Sequence, residues 1–259
     1  MNTRQPSEPP TPRARKEIHP VAQNLIAGLG PAARKRALDA PLGPGAMAFY
    51  LHQSGYDVTG VDIDLQQSAG LPAEINRRRC NLNEVLPMPD AHFDLVTCLE
   101  GIEHVENHFL TLRELARVAK PGGHLVISMP NICSLEARVK FVLNGSFYHY
   151  ITRNDVERFG SGFDHQNLIG YLELRQTLDW TGFQILRVEK DRAKPRQILL
   201  LWPLWLLIQL YLGVQSRNRK RRYFLNETAS RNILMGGNTI IILAQKEMHR
   251  PVPKPSYAA

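Results

Sequence analysis

The sequence predicts an α/β protein whose mostly parallel sheet is covered by helices on both faces. Two observations carry this. From Ala37 to about residue 130, short apolar runs alternate with stretches of helical periodicity at the spacing of βαβ crossovers. The 259 residues are 43% hydrophobic and 22% charged, which suits one large α/β domain or two small ones and is too polar for a multi-span membrane protein.

Residues 1–20 contain five prolines and few apolar side chains, which predicts a disordered tail. A second tail is expected over 247–259. Between them, strands are predicted at Ala37–Ala40, Asp57–Val61, near Cys80–Leu82, Phe93–Leu99 and His124–Met129. Helices are predicted over Ala46–Gln53 and Val105–Lys120. In the second, Phe109, Leu112, Leu115, Ala116 and Ala119 share one face, and Pro121-Gly122-Gly123 ends it. The rhythm then changes. A helix over Leu135–Leu143 leads to the aromatic loop Phe147-Tyr148-His149-Tyr150. Next comes a helix from Asn167 to Trp180, with Leu168, Tyr171, Leu172 and Leu178 on its apolar face. Two strands, Phe183–Glu189 and Thr239–Gln245, flank a basic and hydrophobic insert over 191–237. There is no internal repeat.

Three cysteines, Cys80, Cys98 and Cys133, show no C-x-x-C spacing, so neither a disulfide scaffold nor a structural zinc site is expected, nor any other metal. That usage fits a reducing compartment, and the N-terminus lacks the apolar core of a secretory signal. Net charge is +8 but uneven: seven basic residues against two acidic over 1–36, and ten against two over 187–222, leave the rest acidic. A nucleic-acid binder carries its charge on the folded domain, so no nucleic-acid partner is expected. A positive tail and a positive hydrophobic segment point instead to anionic membrane or an acidic ligand.

The chemistry concentrates at strand ends. Leu38-Asp39-Ala40-Pro41-Leu42-Gly43-Pro44-Gly45 joins a strand to a helix, where glycines permit close backbone approach and the helix start offers free N–H groups. By itself the loop also reads as a plain turn. Asp62 closes the next strand, where a carboxylate can accept both hydroxyls of a ribose or simply face solvent. Further on come Asn81-Leu82-Asn83-Glu84-Val85-Leu86-Pro87, Phe93-Asp94-Leu95-Val96, Glu100-Gly101-Ile102-Glu103-His104-Val105 and Leu115-Ala116-Arg117-Val118-Ala119-Lys120-Pro121-Gly122-Gly123. Five such fragments in this order and spacing resemble the class I S-adenosylmethionine-dependent methyltransferases, specifically the ubiquinone-biosynthesis-like and glycan-cluster members. The likeness covers about 36–131, and more loosely 165–189 and 238–246.

That resemblance implies a Rossmann-like, seven-stranded, mostly parallel sheet with a final antiparallel strand, a helical cap and a hydrophobic insert between the last two strands. It makes 21–246 the methyltransferase domain and S-adenosyl-L-methionine the cofactor. Asp39 matches the acid that orients the loop, Gly43 and Gly45 the later loop glycines, and Asp62 the ribose acid. Ile63 matches the residue beside the adenine, Asn81 and Leu82 the adenine-edge pair, and Glu100 the strand end lining the methionine. Two positions depart from the family pattern. Pro41 replaces the first glycine, removing an N–H, and Asn81 stands where an acid is usual. These departures motivate a rival reading as a non-catalytic binding or scaffold protein. A nicotinamide-dependent oxidoreductase shares the glycines and Asp62 but not the later fragments.

Methyl transfer from a sulfonium needs alignment, exclusion of water and, for a hydroxyl acceptor, a base. His104 is one candidate base, with capping or packing beside Glu103 as the alternative. His165 in Gly162-Phe163-Asp164-His165 is another, alongside a role at the next helix start. Residues 132–165 are expected to cap the acceptor, with Tyr148 and Tyr150 stacking on it or forming an aromatic core contact. The expected acceptor is an oxygen on a small molecule, lipid-linked glycan, saccharide or quinone-like ring.

Ile198–Val214 (ILLLWPLWLLIQLYLGV) is the most hydrophobic stretch. As a helix it would span ~26 Å, short of a ~30 Å hydrocarbon core, with Pro203 kinking it. Basic residues flank both ends. If the last two strands pair, the insert leaves and returns on one side. An in-plane element is therefore expected, with Trp202 and Trp205 at head-group level and 198–222 on anionic lipid at the cytoplasmic face of the membrane. A buried helical arm or a homodimer contact is the alternative.

Overall fold

The computed structural model describes residues 9–12, 16–147, 165 and 167–248. Its strands are β1 (Arg36–Asp39), β2 (Asp57–Asp62), β3 (Asn76–Arg79), β4 (Phe93–Cys98), β5 (Ala119–Pro130), β6 (Phe183–Lys190) and β7 (Thr239–Lys246). They form one seven-stranded sheet in the order β3-β2-β1-β4-β5-β7-β6. The first five pair in parallel, and β7 runs antiparallel between β5 and β6, so the insert does leave and return on one side. This is the Rossmann-like sheet the sequence predicts.

Alternation along the strands explains the two covered faces. Leu38, Val96, Ile127 and Ile242 point into one core with residues of α3 (His108–Val118) and α5 (Tyr171–Trp180). Their neighbours Ala37, Leu95, Val126 and Ile241 point to the other, against α1 (Ile18–Ala27) and α2 (Ala46–Gln53). A central strand buried on both sides must be apolar at successive positions, which is how β4 and β5 read.

Several sequence expectations are corrected. The helix α1 begins at Ile18, inside the stretch read as tail, and buries Ile18, Ala22, Leu25 and Ile26. The third strand is not near Cys80–Leu82 but at Asn76–Arg79, an exposed edge strand whose Asn-Arg-Arg-Arg has no apolar run to betray it. Pro121-Gly122-Gly123 does not separate helix from strand, because β5 already starts at Ala119. Phe109 and Leu172, expected on buried faces, are exposed, and α5 buries Leu174 and Thr177 instead. Of the expected cap, α4 (Leu135–Asn144) is present and Phe147 stacks on Phe141 with ring centroids 4.6 Å apart. Tyr148 and Tyr150 lie outside the described residues.

The insert folds as α6 (Pro195–Val214), α7 (Arg217–Arg222), α8 (Leu225–Thr228) and α9 (Arg231–Leu234). At 20 residues α6 runs through Pro203, about 30 Å long, and is the one described helix long and apolar enough to cross a membrane. The expected length shortfall is thus not found. Packing decides its placement instead. Ile198, Leu201, Leu204, Trp205 and Ile208 lie against Leu135, Leu234 and Met235, so one side of α6 is seated on the domain along its length. Trp205 is therefore turned inward, not to the outer face where the sequence reading placed it; Trp202 is exposed.

Candidate active site

The loop after β1 is shaped by Asp39 and Asp62. Asp39 is buried at the end of β1. Its Oδ1 accepts from the Thr97 hydroxyl at 2.7 Å and its Oδ2 from the Ala48 N–H at 3.1 Å, tying β1, β4 and α2 together. Burial pushes its pKa up to about 7, against those two hydrogen bonds, with a smaller push from Asp62. A carboxyl that binds a proton more tightly folded than unfolded stabilises the fold fully below its unfolded pKa, and that contribution is lost as pH rises to the folded value. Relative to Asp39→Asn, the wild-type protein is therefore expected to lose stability from about pH 4 to 7, and urea midpoints across that range measure it. A flat difference between the two proteins would contradict the assignment.

Asp62 closes β2 and faces the loop. Its Oδ2 accepts from the Gly43 N–H at 2.7 Å and its Oδ1 from the Asp64 N–H at 3.0 Å. Each carboxylate oxygen keeps a second lone pair, the number two vicinal hydroxyls require. Gly43 has φ +51, and a Cβ there would project into open space beside the loop. At Gly45, with φ +88, a Cβ would fall 2.3 Å from Leu71 Cδ1, so this position favours glycine by both its backbone and its close packing on Leu71.

Beyond β2, Ile63 is 60% exposed and lines a cleft of roughly 430 Å³ with Arg79, Cys80, Asn81, Glu84, Val85 and Pro87. Ile63 and Asn81 therefore line the same cleft. The Asn81 amide oxygen, however, accepts from Asn83 N–H at 3.0 Å, and its amide donates to Glu84, so it shapes its own turn. Leu82 is buried, with its carbonyl accepting from Thr111.

The turn after β4 carries the remaining residues. Glu100 sits in the left-handed backbone region at φ +48, fixed by Ser128: its N–H donates to the Ser128 hydroxyl at 2.7 Å, which donates to its carboxylate at 3.0 Å. Strained backbone held in this way is characteristic of ligand sites. Gly101 lies against the Pro41 ring, so this turn abuts the glycine loop. Glu103 is 1% exposed, and neither carboxylate oxygen has a hydrogen-bond partner among the described residues. Burial, and secondarily Glu100, hold its pKa well above the usual carboxylate range. The two candidate bases meet beside it: His104 and His165 pack edge to face with centroids 4.8 Å apart. One ligand atom each from Glu103, His104 and His165 lie within 4.8 Å of one another, a set able to hold a divalent cation. The expectation of no metal came from cysteine spacing and does not reach this cluster, which uses no cysteine.

A family model described as a methyltransferase domain matches residues 38–127, spanning the loop, Asp62, the cleft and the turn after β4. Residues 38–127 are therefore similar to a methyltransferase domain. The ubiquinone biosynthesis O-methyltransferase of Paracidovorax citrulli is 33% identical over 124 residues, covering 44% of this chain and 52% of that protein. The one from Alkalilimnicola ehrlichii is 34% identical over 123 residues, covering 44% and 50%. The chain thus spans about half the length of the curated relatives it matches. A solved S-adenosylmethionine-dependent methyltransferase from Mesorhizobium loti superposes with TM-score 0.56 at 19% identity, covering 86% of this chain and 96% of that one. One from Archaeoglobus fulgidus gives 0.54 at 18% identity, covering 88% and 94%. These two establish the fold.

The cofactor of class I methyltransferase domains is S-adenosylmethionine, and the residues here fit it. Asp62 retains acceptor capacity for the ribose, Gly43 leaves its flank open, and Ile63 offers an exposed apolar wall above the cleft. Sequence reasoning missed three contributors. Glu103 and Gly101 were legible only as parts of the Glu-x-x-Glu-His fragment. Asn83 accepts from the Glu106 and Asn107 N–H groups and so braces the turn after β4, for which no sequence signal was available.

Proposed function

We propose that the protein transfers the methyl group of S-adenosylmethionine to a hydroxyl oxygen of an amphipathic acceptor at a membrane surface. The single observation that carries the donor side is the Asp62 carboxylate bound to the Gly43 N–H, one residue before Ile63 in the cleft wall. The donor supplies an activated methyl, so the protein's work is to align the acceptor, exclude water and manage one proton. The names of the curated relatives support an oxygen acceptor, and the apolar outer face of α6 supports an amphipathic one.

Glu103, His104 and His165 are the groups we assign to the acceptor hydroxyl. A buried carboxyl with both oxygens unpartnered is costly to leave unsatisfied, and a cation held by the three residues would displace its proton and satisfy it. Such an ion lowers the pKa of a coordinated hydroxyl, and without it an imidazole of the pair serves as base. Calorimetric titration of Zn²⁺ into the protein is expected to show one site, with Glu103→Gln weakening it by roughly 10-fold or more. Absence of that site in the wild-type protein assigns the cluster to proton transfer alone.

Incubation with donor labelled in its methyl group and a bacterial envelope extract is expected to place label in the organic-soluble fraction. No label transfer together with no binding of S-adenosylhomocysteine would support a non-catalytic scaffold instead.

A further inference from the structure

The outward side of α6 is apolar where solvent would ordinarily select polar residues: Leu199, Leu200, Trp202, Leu207, Leu210 and Val214 are all exposed. At the C-terminal end of this face a cavity of about 400 Å³ opens between α5, α6 and α7, its walls including Leu172, Tyr211, Arg219, Arg222, Tyr223 and Leu225. Tyr211 belongs to both features, lining the cavity and lying exposed one turn beyond Leu207. Arg219 and Arg222 are three residues apart on α7, so their side chains leave the helix on one side.

No carboxylate lines this cavity, and neither arginine is in an ion pair with a described residue. The acid carried by α8, Glu227, is occupied by Arg175 and the Tyr171 hydroxyl, each at 2.7 Å. Two guanidiniums with no carboxylate partner among the described residues, that of Arg222 lying 5.6 Å over the Tyr223 ring, match a phosphate ester in shape and charge. An apolar helix face continuous with them matches the acyl chains of the same molecule.

We propose that this cavity binds the phosphate head-group of an anionic bilayer lipid, with α6 lying along the chains. The inference rests on the membrane contact proposed above and makes it head-group specific. Vesicle flotation tests it, using phosphatidylcholine with and without phosphatidylglycerol. The paired variant Arg219→Gln/Arg222→Gln is compared with Arg217→Gln/Arg221→Gln, which removes the same charge from the same helix outside the cavity lining. The cavity pair is expected to lose about 10-fold more affinity for phosphatidylglycerol vesicles than the control pair, which loses only the contribution of the diffuse field.

Equal losses in the two pairs overturn the site while leaving membrane contact standing. Failure of the wild-type chain to float at all overturns both. If millimolar inorganic phosphate displaces the wild-type protein from vesicles and raises its melting temperature, but leaves the cavity pair unmoved, the ligand is a soluble phosphate and the lipid assignment fails.

Discussion

Asp62→Ala is expected to weaken binding of S-adenosylhomocysteine by roughly 100-fold, the equivalent of two hydrogen bonds to a charged acceptor. The carboxylate has two tasks. It holds the loop, through the Gly43 N–H at 2.7 Å, and in the proposed function its remaining lone pairs accept from a ribose. Alanine ends both and leaves the Gly43 donor without its partner, so a drop of about 1–2 kcal/mol in unfolding free energy should accompany the loss. Asp62→Asn separates the tasks. Its single carbonyl oxygen can keep the Gly43 bond, but its amide cannot accept from a second hydroxyl. Calorimetry should place Asn between wild type and Ala for ligand affinity, and urea unfolding should place it between them for stability, because the amide nitrogen takes the place of the oxygen that accepts from the Asp64 N–H. Unchanged affinity in both variants would remove the donor site from this loop and with it the proposed activity.

Where an element announces itself by burial, the sequence showed it. Strands buried on two faces need apolar residues at consecutive positions, so β1, β2, β4, β5 and β7 were legible within a residue or two at most ends. Of the two edge strands, β6 kept enough apolar residues to be read at Phe183–Glu189, whereas β3 is Asn-Arg-Arg-Arg, and its place is set by pairing with β2. The helix α1 was not read at all, because it starts inside a proline-rich stretch and its buried Ile18, Ala22, Leu25 and Ile26 follow directly on that stretch. On the site, the order and spacing of the fragments pointed to Asp62 and the glycine loop, and the structure joins these two through the Gly43 N–H. The acceptor side depended on a long-range meeting. His165 reaches His104 across 61 positions of sequence, and spacing carries no signal for such a contact. The inward turn of Trp205 was equally hidden, because α6 is apolar all round and its periodicity does not say which side is seated.

The substitution of proline for the first loop glycine has its answer sixty residues away. Gly101 has φ −129, a conformation open to any residue, so backbone freedom does not explain a glycine there. Space does. A Cβ on Gly101 would lie 2.2 Å from Pro41 Cδ and 2.8 Å from Pro41 Cγ. The proline ring is rigid and part of the backbone, so it cannot swing aside as a flexible side chain would. Gly101→Ala is therefore expected to push the loop, costing about 2 kcal/mol as an overpacked contact and displacing the Gly43 N–H from Asp62. S-adenosylhomocysteine affinity should fall with stability, although Gly101 itself offers no side chain to a ligand. The diagnostic is the double-mutant cycle with Pro41→Ala. Removing Cδ and Cγ takes away the atoms that clash, so Gly101→Ala should cost less in the Pro41→Ala background than alone, by about 1–2 kcal/mol in urea unfolding. Additive effects would mean that the two residues do not share one volume. A cycle with the expected sign makes Pro41 a paired exchange with Gly101, in which the loop gains a ring and the turn after β4 gives up a side chain, leaving the donor site open.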